Sequence, residues 1–245
     1  MDIEAEKKRA ALQAVALIED GMLVGLGAGS TAEYAIHEIG SRVATGLRIT
    51  GVATFRRTRA LAERLSIPLL EMEDVPRLDL TIDGADEVDL GLRAIKGGSG
   101  AMLREKIVAS ASDRMIVIAD SSKLVSVLGR FSLPVEVLPF ACASARRQLE
   151  EICPHVEQRR TKSGAPFITD QKAYIFDLPL GQIEDPSALA RQLGSIPGLI
   201  GHGLFLNEVT MAIIAQCGAT RIIDRPEAAA RKSCRGHSSR LFRRR

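Results

Sequence analysis

Two aspartates, a lysine and a glutamate are the side chains in this sequence best suited to moving protons. Asp83 and Asp86 lie in the stretch TIDGADEVD, and Lys96 and Glu105 lie in the stretch KGGSGAMLREK. A carboxylate can remove and return a proton, and an ammonium group stabilises the negative oxygen that such a transfer creates. These residue types predict acid–base chemistry next to a carbonyl group, through an enediolate.

Glu105 is predicted to lie on the apolar side of a helix. Its neighbours three and four positions away carry no positive charge: they are Ala101, Met102, Val108 and Ala109. Because burial disfavours the ionised carboxylate, we expect a raised pKa for Glu105 and a better general base near neutrality. The alternative is a structural glutamate whose partner comes from elsewhere in the fold.

The segment GLGAGSTA has the composition of a phosphate-binding loop. It follows an apolar strand and opens a helix, whose free N–H groups attract anions, and Ser30 and Thr31 add hydroxyl donors. It also half-matches a dinucleotide fingerprint, but the next strand ends in ATFRR at 53–57, without the acid that would hold a ribose. A phosphate loop, a dinucleotide loop and a plain turn all stay open on this segment alone.

Three further features lie at predicted strand or loop ends. The glycines after Lys96 let the backbone approach an oxyanion closely, while Ser99 is not a nucleophile elbow, because residue 101 is alanine. The acids of TIDGADEVD lack EF-hand spacing, and those after Asp83 could form a solvated turn. Lys123 follows the strand MIVIA, where a surface lysine is the alternative interpretation.

The elements that must position these side chains alternate along the first half of the chain. Helical patterns are predicted at 3–19, 31–44, 56–65 and 101–112, between apolar strands at 22–26, 47–53, 78–83 and 115–119. This order predicts an α/β fold with a Rossmann-like, mostly parallel sheet. Because open sheets of this kind bind ligands at the carboxyl ends of their strands, the candidate residues should meet at one rim.

The pattern changes at about residue 132. Strands are predicted at 134–138, 156–160, 166–169, 173–178 and 199–205, with helices at 143–152 and 186–194. The order β-α-β-β-α-β predicts an inserted ferredoxin-like α+β domain at 132–206. Strands at 208–215 and 220–224 would return to the first sheet, so the Rossmann-like catalytic domain is predicted at 1–131 plus 207–224.

Composition limits the partners and cofactors. Residues 225–245 carry eight Lys and Arg and one acid, a net +7 that leaves −4 for the rest, so we expect a basic, disordered tail rather than a nucleic-acid site. The cysteines and histidines lack metal-ligand spacing, and we expect neither a metal nor a cofactor. No apolar run reaches the ~18 residues of a membrane span, and the charged N-terminus is no secretory signal, so we expect a cytoplasmic protein with no membrane contact.

Four segments resemble, in the same order, those of the type A ribose-5-phosphate isomerase family. They are GLGAGSTA, TIDGADEVD, KGGSGAMLREKIVA and SSKLVSVLGRFSLPVEVLPFA, and the similarity extends from about residue 3 to 224. The resemblance implies metal-free conversion of D-ribose 5-phosphate to D-ribulose 5-phosphate in the non-oxidative pentose phosphate pathway. It also implies a homodimer or homotetramer.

The resemblance assigns roles to the candidate residues. Glu105 matches the base that moves the proton between C2 and C1, and Lys96 matches the residue that steadies the enediolate oxygen. Asp83 and Asp86 match residues that bind the sugar hydroxyls and help to open the ring. The substrate-binding residues that it implies are Ala28, Gly29, Ser30, Thr31, Gly84, Ala85, Gly97, Gly98, Ser99 and Lys123.

The sequence departs from the family pattern at three positions near the site. Ala28 stands where threonine is usual, Ser99 where glycine is usual, and Phe55 where a small hydroxyl residue is common. None of these changes removes an acid, a base or a cation, so we expect activity to be retained.

Two other functions compete with an isomerase. A non-catalytic sugar-phosphate sensor domain would need the GLGAGSTA loop but neither Glu105 nor Lys96. An NADP-dependent enzyme would place Arg56 and Arg57 on a 2′-phosphate, but it leaves DGADEVD and KGGSG without a purpose.

Overall fold

The structure, a computed structural model, describes residues 2–225 of the chain. The α-helices of this part are α1 (Ile3–Val15), α2 (Ser30–Ala44), α3 (Arg56–Arg64), α4 (Met102–Ser110), α5 (Cys142–Ile152) and α6 (Pro186–Gly194). The strands up to the middle of the chain are β1 (Leu23–Leu26), β2 (Thr50–Ala53), β3 (Leu80–Gly84), β4 (Glu87–Val88), β5 (Ala94–Ile95) and β6 (Met115–Asp120). The later strands are β7 (Leu133–Val137), β8 (Glu157–Gln158), β9 (Tyr174–Leu178), β10 (Leu199–His202), β11 (Leu204–Phe205), β12 (Met211–Gln216) and β13 (Ala219–Asp224).

A six-stranded sheet forms the centre of the fold. Five of its strands are parallel, in the order β2-β1-β3-β6-β12, and β13 pairs antiparallel with β12 at one edge. The mostly parallel, Rossmann-like sheet predicted from the sequence is confirmed. Strand β2 lies on one side of β1, and the next strand of this sheet along the chain, β3, lies on the other side of β1. Strands β1 and β3 therefore flank the switch point at which sheets of this order bind ligands.

Small and branched apolar residues pack α1 and α2 onto this sheet. Ala10 and Ala14, one helical turn apart on α1, and Ile36 and Ile39 of α2 share one buried cluster with Ile82 of β3. The alanines let α1 approach its neighbours closely, because they add little volume between the helix and the sheet. This packing fixes where the start of each helix meets the rim of the sheet.

The second sheet has the order β10-β7-β9-β8, and all of its neighbouring strands are antiparallel. Strands β7 and β8, joined through α5, leave room between them for β9, which is the split β-α-β arrangement of a ferredoxin-like fold. Its apolar residues pack in a buried cluster with Leu149 of α5 and Leu193 of α6, and Ile95 of β5 joins the same cluster. The α+β prediction is confirmed, and the boundaries at 132 and 206 stay a prediction.

Two strand predictions were wrong in detail. Residues 166–169 form only single bridges, at Pro166 and Ile168, because proline has no N–H group to continue a ladder. The strand predicted at 199–205 divides at Gly203: β10 before it joins the second sheet, and β11 after it joins a three-stranded sheet of order β11-β5-β4. A Cβ on Gly203 would lie 2.3 Å from the carbonyl oxygen of Lys96, so the chain approaches the site too closely for a side chain there.

The other element boundaries differ little from the predictions, although the first helix ends at Val15 rather than at residue 19. The predicted tail begins at Arg225, whose backbone N–H donates to the carbonyl of Thr210. Residues 226–245 of that prediction lie outside the described part of the chain.

Candidate active site

A cavity of about 230 Å³ opens at the carboxyl ends of β1, β3 and β6. Of the fourteen site residues predicted from the sequence, only Asp83 does not line it. The wall also includes four residues that were not predicted as site residues, namely Ile3, Lys7, Asp120 and Ser122. The candidates, which are dispersed in the sequence, therefore meet at the carboxyl ends of parallel strands, where sheets of this kind bind ligands.

Lys96 lies between two carboxylates at the bottom of this cavity. Its Nζ is 2.9 Å from Asp83 Oδ2 and 3.4 Å from Glu105 Oε2, and it also donates to the carbonyl of Gly84. The three charged side chains are 2%, 0% and 1% exposed, so water does not screen their interactions. The partner of Glu105 does come from elsewhere in the fold, as the alternative interpretation required.

Burial and charge set the ionisation of Glu105 and Lys96. Desolvation, with the nearby Asp83 carboxylate adding to it, raises the pKa of Glu105 to about 8, although Lys96 opposes the rise. Burial alone would lower the pKa of Lys96, but the Asp83 and Glu105 carboxylates outweigh it and raise that pKa above its usual value. Lys96 therefore stays protonated, while Glu105 titrates near neutrality. The raised pKa of Glu105 is the property expected from the sequence.

Asp83 lies behind the cavity wall rather than on it. Its Oδ1 accepts hydrogen bonds from the backbone N–H groups of Ala28 at 3.0 Å and Gly84 at 2.7 Å, while its Oδ2 faces Lys96. This position requires a glycine at 27, because a Cβ there would lie 2.2 Å from the carboxyl group of Asp83. Asp83 therefore joins the GLGAGSTA loop to the lysine, and its predicted contact with sugar hydroxyls stays a prediction.

The KGGSG loop forms one side of the cavity. Asp86 accepts a hydrogen bond from the N–H of Gly98 at 2.8 Å, and burial raises the pKa of Asp86. Gly97 has φ 112°, a conformation that favours glycine, and its carbonyl accepts from the side chain of Arg159 at 2.7 Å. Ser99, a departure from the family pattern, donates from its Oγ to Glu105 Oε1 over 3.3 Å. The added hydroxyl thus contacts the candidate base.

Lys7 and Lys123 add two cations to the wall that also carries Ser30 and Thr31. Helix α2 begins at Ser30, so its free N–H groups point toward the same cavity. Lys7 was not predicted as a site residue; it lies among the charged residues clustered at 4–9 of the first helix, where its charge does not stand out. Together, two ammonium groups, two hydroxyls and a helix start are suited to bind a phosphate.

A neighbouring cavity shares Gly29, Ser30 and Ser99 with the first and is also lined by Phe55. Phe55 precedes α3 in extended conformation and is half-buried, so this departure from the family pattern lies beside the site rather than within it.

In residues 2–225, no three His, Cys, Asp or Glu side chains form a group that could hold a metal ion. None of the helices in the same range has the length and hydropathy that a transmembrane helix requires.

The chain is similar to known proteins over most of its length. The family model of ribose 5-phosphate isomerase A (phosphoriboisomerase A) matches residues 50–218. The chain belongs to the ribose 5-phosphate isomerase A family. A relative of that name from Nitrobacter hamburgensis is 49% identical over 231 residues, which cover 92% of this chain and 100% of that protein. Another, from Sphingopyxis alaskensis, is 51% identical and covers 91% of this chain and 98% of its own length.

Solved structures of ribose 5-phosphate isomerases share this fold. One was determined in complex with phospho-erythronic acid; it is 35% identical, has a TM-score of 0.87, and the match covers 92% of this chain and 100% of that chain. The enzyme from Plasmodium falciparum is 34% identical, also with a TM-score of 0.87, over 91% of this chain and 99% of that chain. The fold class predicted from the sequence is confirmed, and so is the resemblance to this family.

Proposed function

We propose that the chain interconverts D-ribose 5-phosphate and D-ribulose 5-phosphate, with Glu105 as the general base. Membership of the ribose 5-phosphate isomerase A family supports the reaction. The observation that carries the assignment of the base is the buried Lys96–Glu105 pair on the cavity wall. A sensor domain would need no such pair, and no relative supports that alternative.

The reaction moves one proton between adjacent carbons. Glu105 removes the proton from C2 of the open-chain aldose, negative charge develops on the C1 oxygen, and the same carboxyl group returns the proton to C1. The Lys96 ammonium stabilises the enediolate oxygen, and the N–H groups of the KGGSG loop assist. Asp83 acts through Lys96 by holding its Nζ at 2.9 Å.

Hydroxyl protons must also move, because the C2 hydroxyl becomes a carbonyl and the C1 carbonyl becomes a hydroxyl. Asp86 lines the cavity, and burial raises its pKa, so it is the carboxyl group suited to exchange protons with the sugar hydroxyls and to assist ring opening. The phosphate would bind to Lys7, Lys123, Ser30 and Thr31 at the start of α2.

The test is the initial rate of ribulose 5-phosphate formation from ribose 5-phosphate in excess EDTA. We expect a rapid rate that EDTA leaves unchanged, because the proposed steps use only side chains and backbone N–H groups of the chain itself. A folded protein without isomerase activity would contradict the proposed function. A rate abolished by EDTA and restored by added metal would contradict the metal-free mechanism and leave the reaction in place.

We further propose a cytoplasmic enzyme of the non-oxidative pentose phosphate pathway that assembles as a homodimer or homotetramer. The pathway and the assembly rest on the family resemblance of the sequence, and the compartment rests on its composition. Light scattering after gel filtration tests the assembly, and a monomeric mass would contradict it.

A further inference from the structure

Glu6 is a buried carboxylate that the proposed reaction does not use. It is only 5% exposed, although it lies in the run of charged residues on α1. Its Oε2 accepts from the N–H of Ser121 at 3.0 Å and from Ser121 Oγ at 2.7 Å, and its Oε1 accepts from the N–H of Cys217 at 3.1 Å. Three segments far apart in the sequence therefore meet at one side chain.

These hydrogen bonds connect two parts of the cavity wall. Glu6 immediately precedes Lys7, and Ser121 lies two residues before Lys123, and both lysines line the cavity. Residues 6 and 121 are 115 positions apart in the sequence, and α1 packs on β6 through a buried cluster that includes Ala10 and Ile118. The carboxylate of Glu6 adds hydrogen bonds between the helix and the turn after β6.

The position of Glu6 on α1 indicates a role in orientation rather than in packing. It continues the buried stripe of Ala10 and Ala14, each four residues apart, where an apolar side chain would fill the same space. A helix turns about 100° per residue, so fixing residue 6 against the turn also fixes the direction in which residue 7 points. The hydrogen bonds from Ser121 lower the pKa of Glu6, which therefore stays ionised as an acceptor.

The ammonium group of Lys7 is paired with a solvent-exposed carboxylate. This ammonium group donates to Glu4 Oε1 at 2.7 Å, and the Glu4 side chain is 61% exposed. The Lys7 side chain is only 15% exposed and Glu4 also accepts from the Tyr34 hydroxyl at 2.7 Å, but water and salt reach the Glu4 carboxylate and weaken the pair. The ammonium group can therefore exchange Glu4 for an anionic ligand, provided that α1 holds Lys7 at the cavity wall.

We propose that Glu6 is a positioning residue, which locks α1 to the turn after β6 so that Lys7 and Lys123 bind the substrate phosphate together. The proposal rests on the function proposed above and deepens it, since it names what holds the phosphate-binding cations. Glu6 itself does not line the cavity.

The test compares Glu6→Ala with Glu6→Gln in steady-state kinetics with D-ribose 5-phosphate and in inhibition by inorganic phosphate. For Glu6→Ala we expect KM and the phosphate inhibition constant to rise on the order of ten-fold, the scale of one charge-assisted hydrogen bond, while kcat changes less than about two-fold. Glu6→Gln keeps the length and one acceptor oxygen, so it should restore most of the affinity. If Glu6→Ala does not fold, Ser121→Ala, which removes one donor to Glu6, should shift both constants in the same direction.

A matched control is Asp185→Ala, which removes another carboxylate that accepts two backbone N–H groups, at the start of α6. It should change neither KM nor phosphate inhibition. The proposal would be overturned if KM and the phosphate inhibition constant of Glu6→Ala equalled those of the wild type. It would also be overturned if Glu6→Ala and the control lost kcat and affinity to the same extent. Direct calorimetry of inorganic phosphate binding separates the two hypotheses: a wild type that binds phosphate but does not isomerise refutes the function, and equal phosphate binding by wild type and Glu6→Ala refutes the role of Glu6.

Discussion

The rate of isomerisation should follow the ionisation of Glu105. With its pKa raised to about 8 by burial and by Asp83, this carboxyl group is mostly protonated at pH 7. Only about one tenth of the free enzyme then carries the ionised base, whereas about nine tenths does so at pH 9. We therefore expect kcat/KM to rise about ten-fold between pH 7 and pH 9, with a slope approaching one in logarithmic units on the acidic side.

The variant Glu105→Gln isolates the proton-transfer role. Glutamine has nearly the same shape, and its one carbonyl oxygen can still accept from Lys96, but it cannot take a proton from carbon. We expect kcat to fall by at least ~10²-fold, the usual scale of general-base catalysis, with a smaller change in KM. The pH dependence above should also disappear from the residual activity.

The assay is the initial rate of ribulose 5-phosphate formation, measured from pH 7 to 9.5 so that the phosphate of the substrate, with a second pKa of about 6, stays fully ionised. Glu150→Gln is the control, because Glu150 forms an exposed ion pair with Arg146 on α5. A wild-type profile that is flat over this range would refute the raised pKa. A Glu105→Gln variant as active as the control would refute the assignment of the base.

Three substitutions around the base have defined outcomes. Lys96→Met removes the cation that lowers the pKa of the base, so the acidic limb of the residual kcat/KM profile should move to higher pH. Asp83→Asn removes a carboxylate that raises the same pKa, so the limb should move to lower pH; shifts in the same direction would contradict both assignments. Gly27→Ala would place a Cβ 2.6 Å from the Cα of Asp83, and we expect about 1–3 kcal/mol less unfolding free energy in urea. Gly194→Ala meets no atom within 4 Å and is the control; equal unfolding free energies would contradict the close approach at Gly27.

The sequence was sufficient to predict which segments line the cavity, but not how Asp83, Lys96 and Glu105 contact one another beneath it. Parallel strands end on one side, so the segments after β1, β3 and β6 had to converge, and the apolar neighbours of Glu105 indicated its burial. The direction in which the Asp83 side chain points was not predictable, because it depends on the space that Gly27 leaves just after the adjacent strand β1. The pairing of Glu105 with Lys96 joins residues brought together by the fold, and no pattern on α4 alone contains it.

Lys7 and Glu6 were missed although the sequence held a signal for one of them. Glu6 lies four and eight positions before Ala10 and Ala14, so it shares their buried helix face. This is the same argument that singled out Glu105, a carboxylate on an apolar stripe. The surrounding charges at 4–9 obscured it, because a run of charged residues on a helix usually indicates a solvated face.

The second sheet contributes to the site by fixing the backbone of the KGGSG loop. Gly203, between β10 and β11, donates its N–H to the carbonyl of Pro134 on β7 at 2.8 Å, and its own carbonyl accepts from the N–H of Lys96 at 2.9 Å. On the other side of the loop, Arg159 donates to the carbonyl of Gly97, while its Nε donates to Asp177 of β9 at 2.9 Å. A loop that begins with a glycine at positive φ loses much backbone entropy when it is ordered, and these contacts offset that cost. The ferredoxin-like sheet therefore holds Lys96 at the distance from Glu105 on which the acid–base chemistry depends.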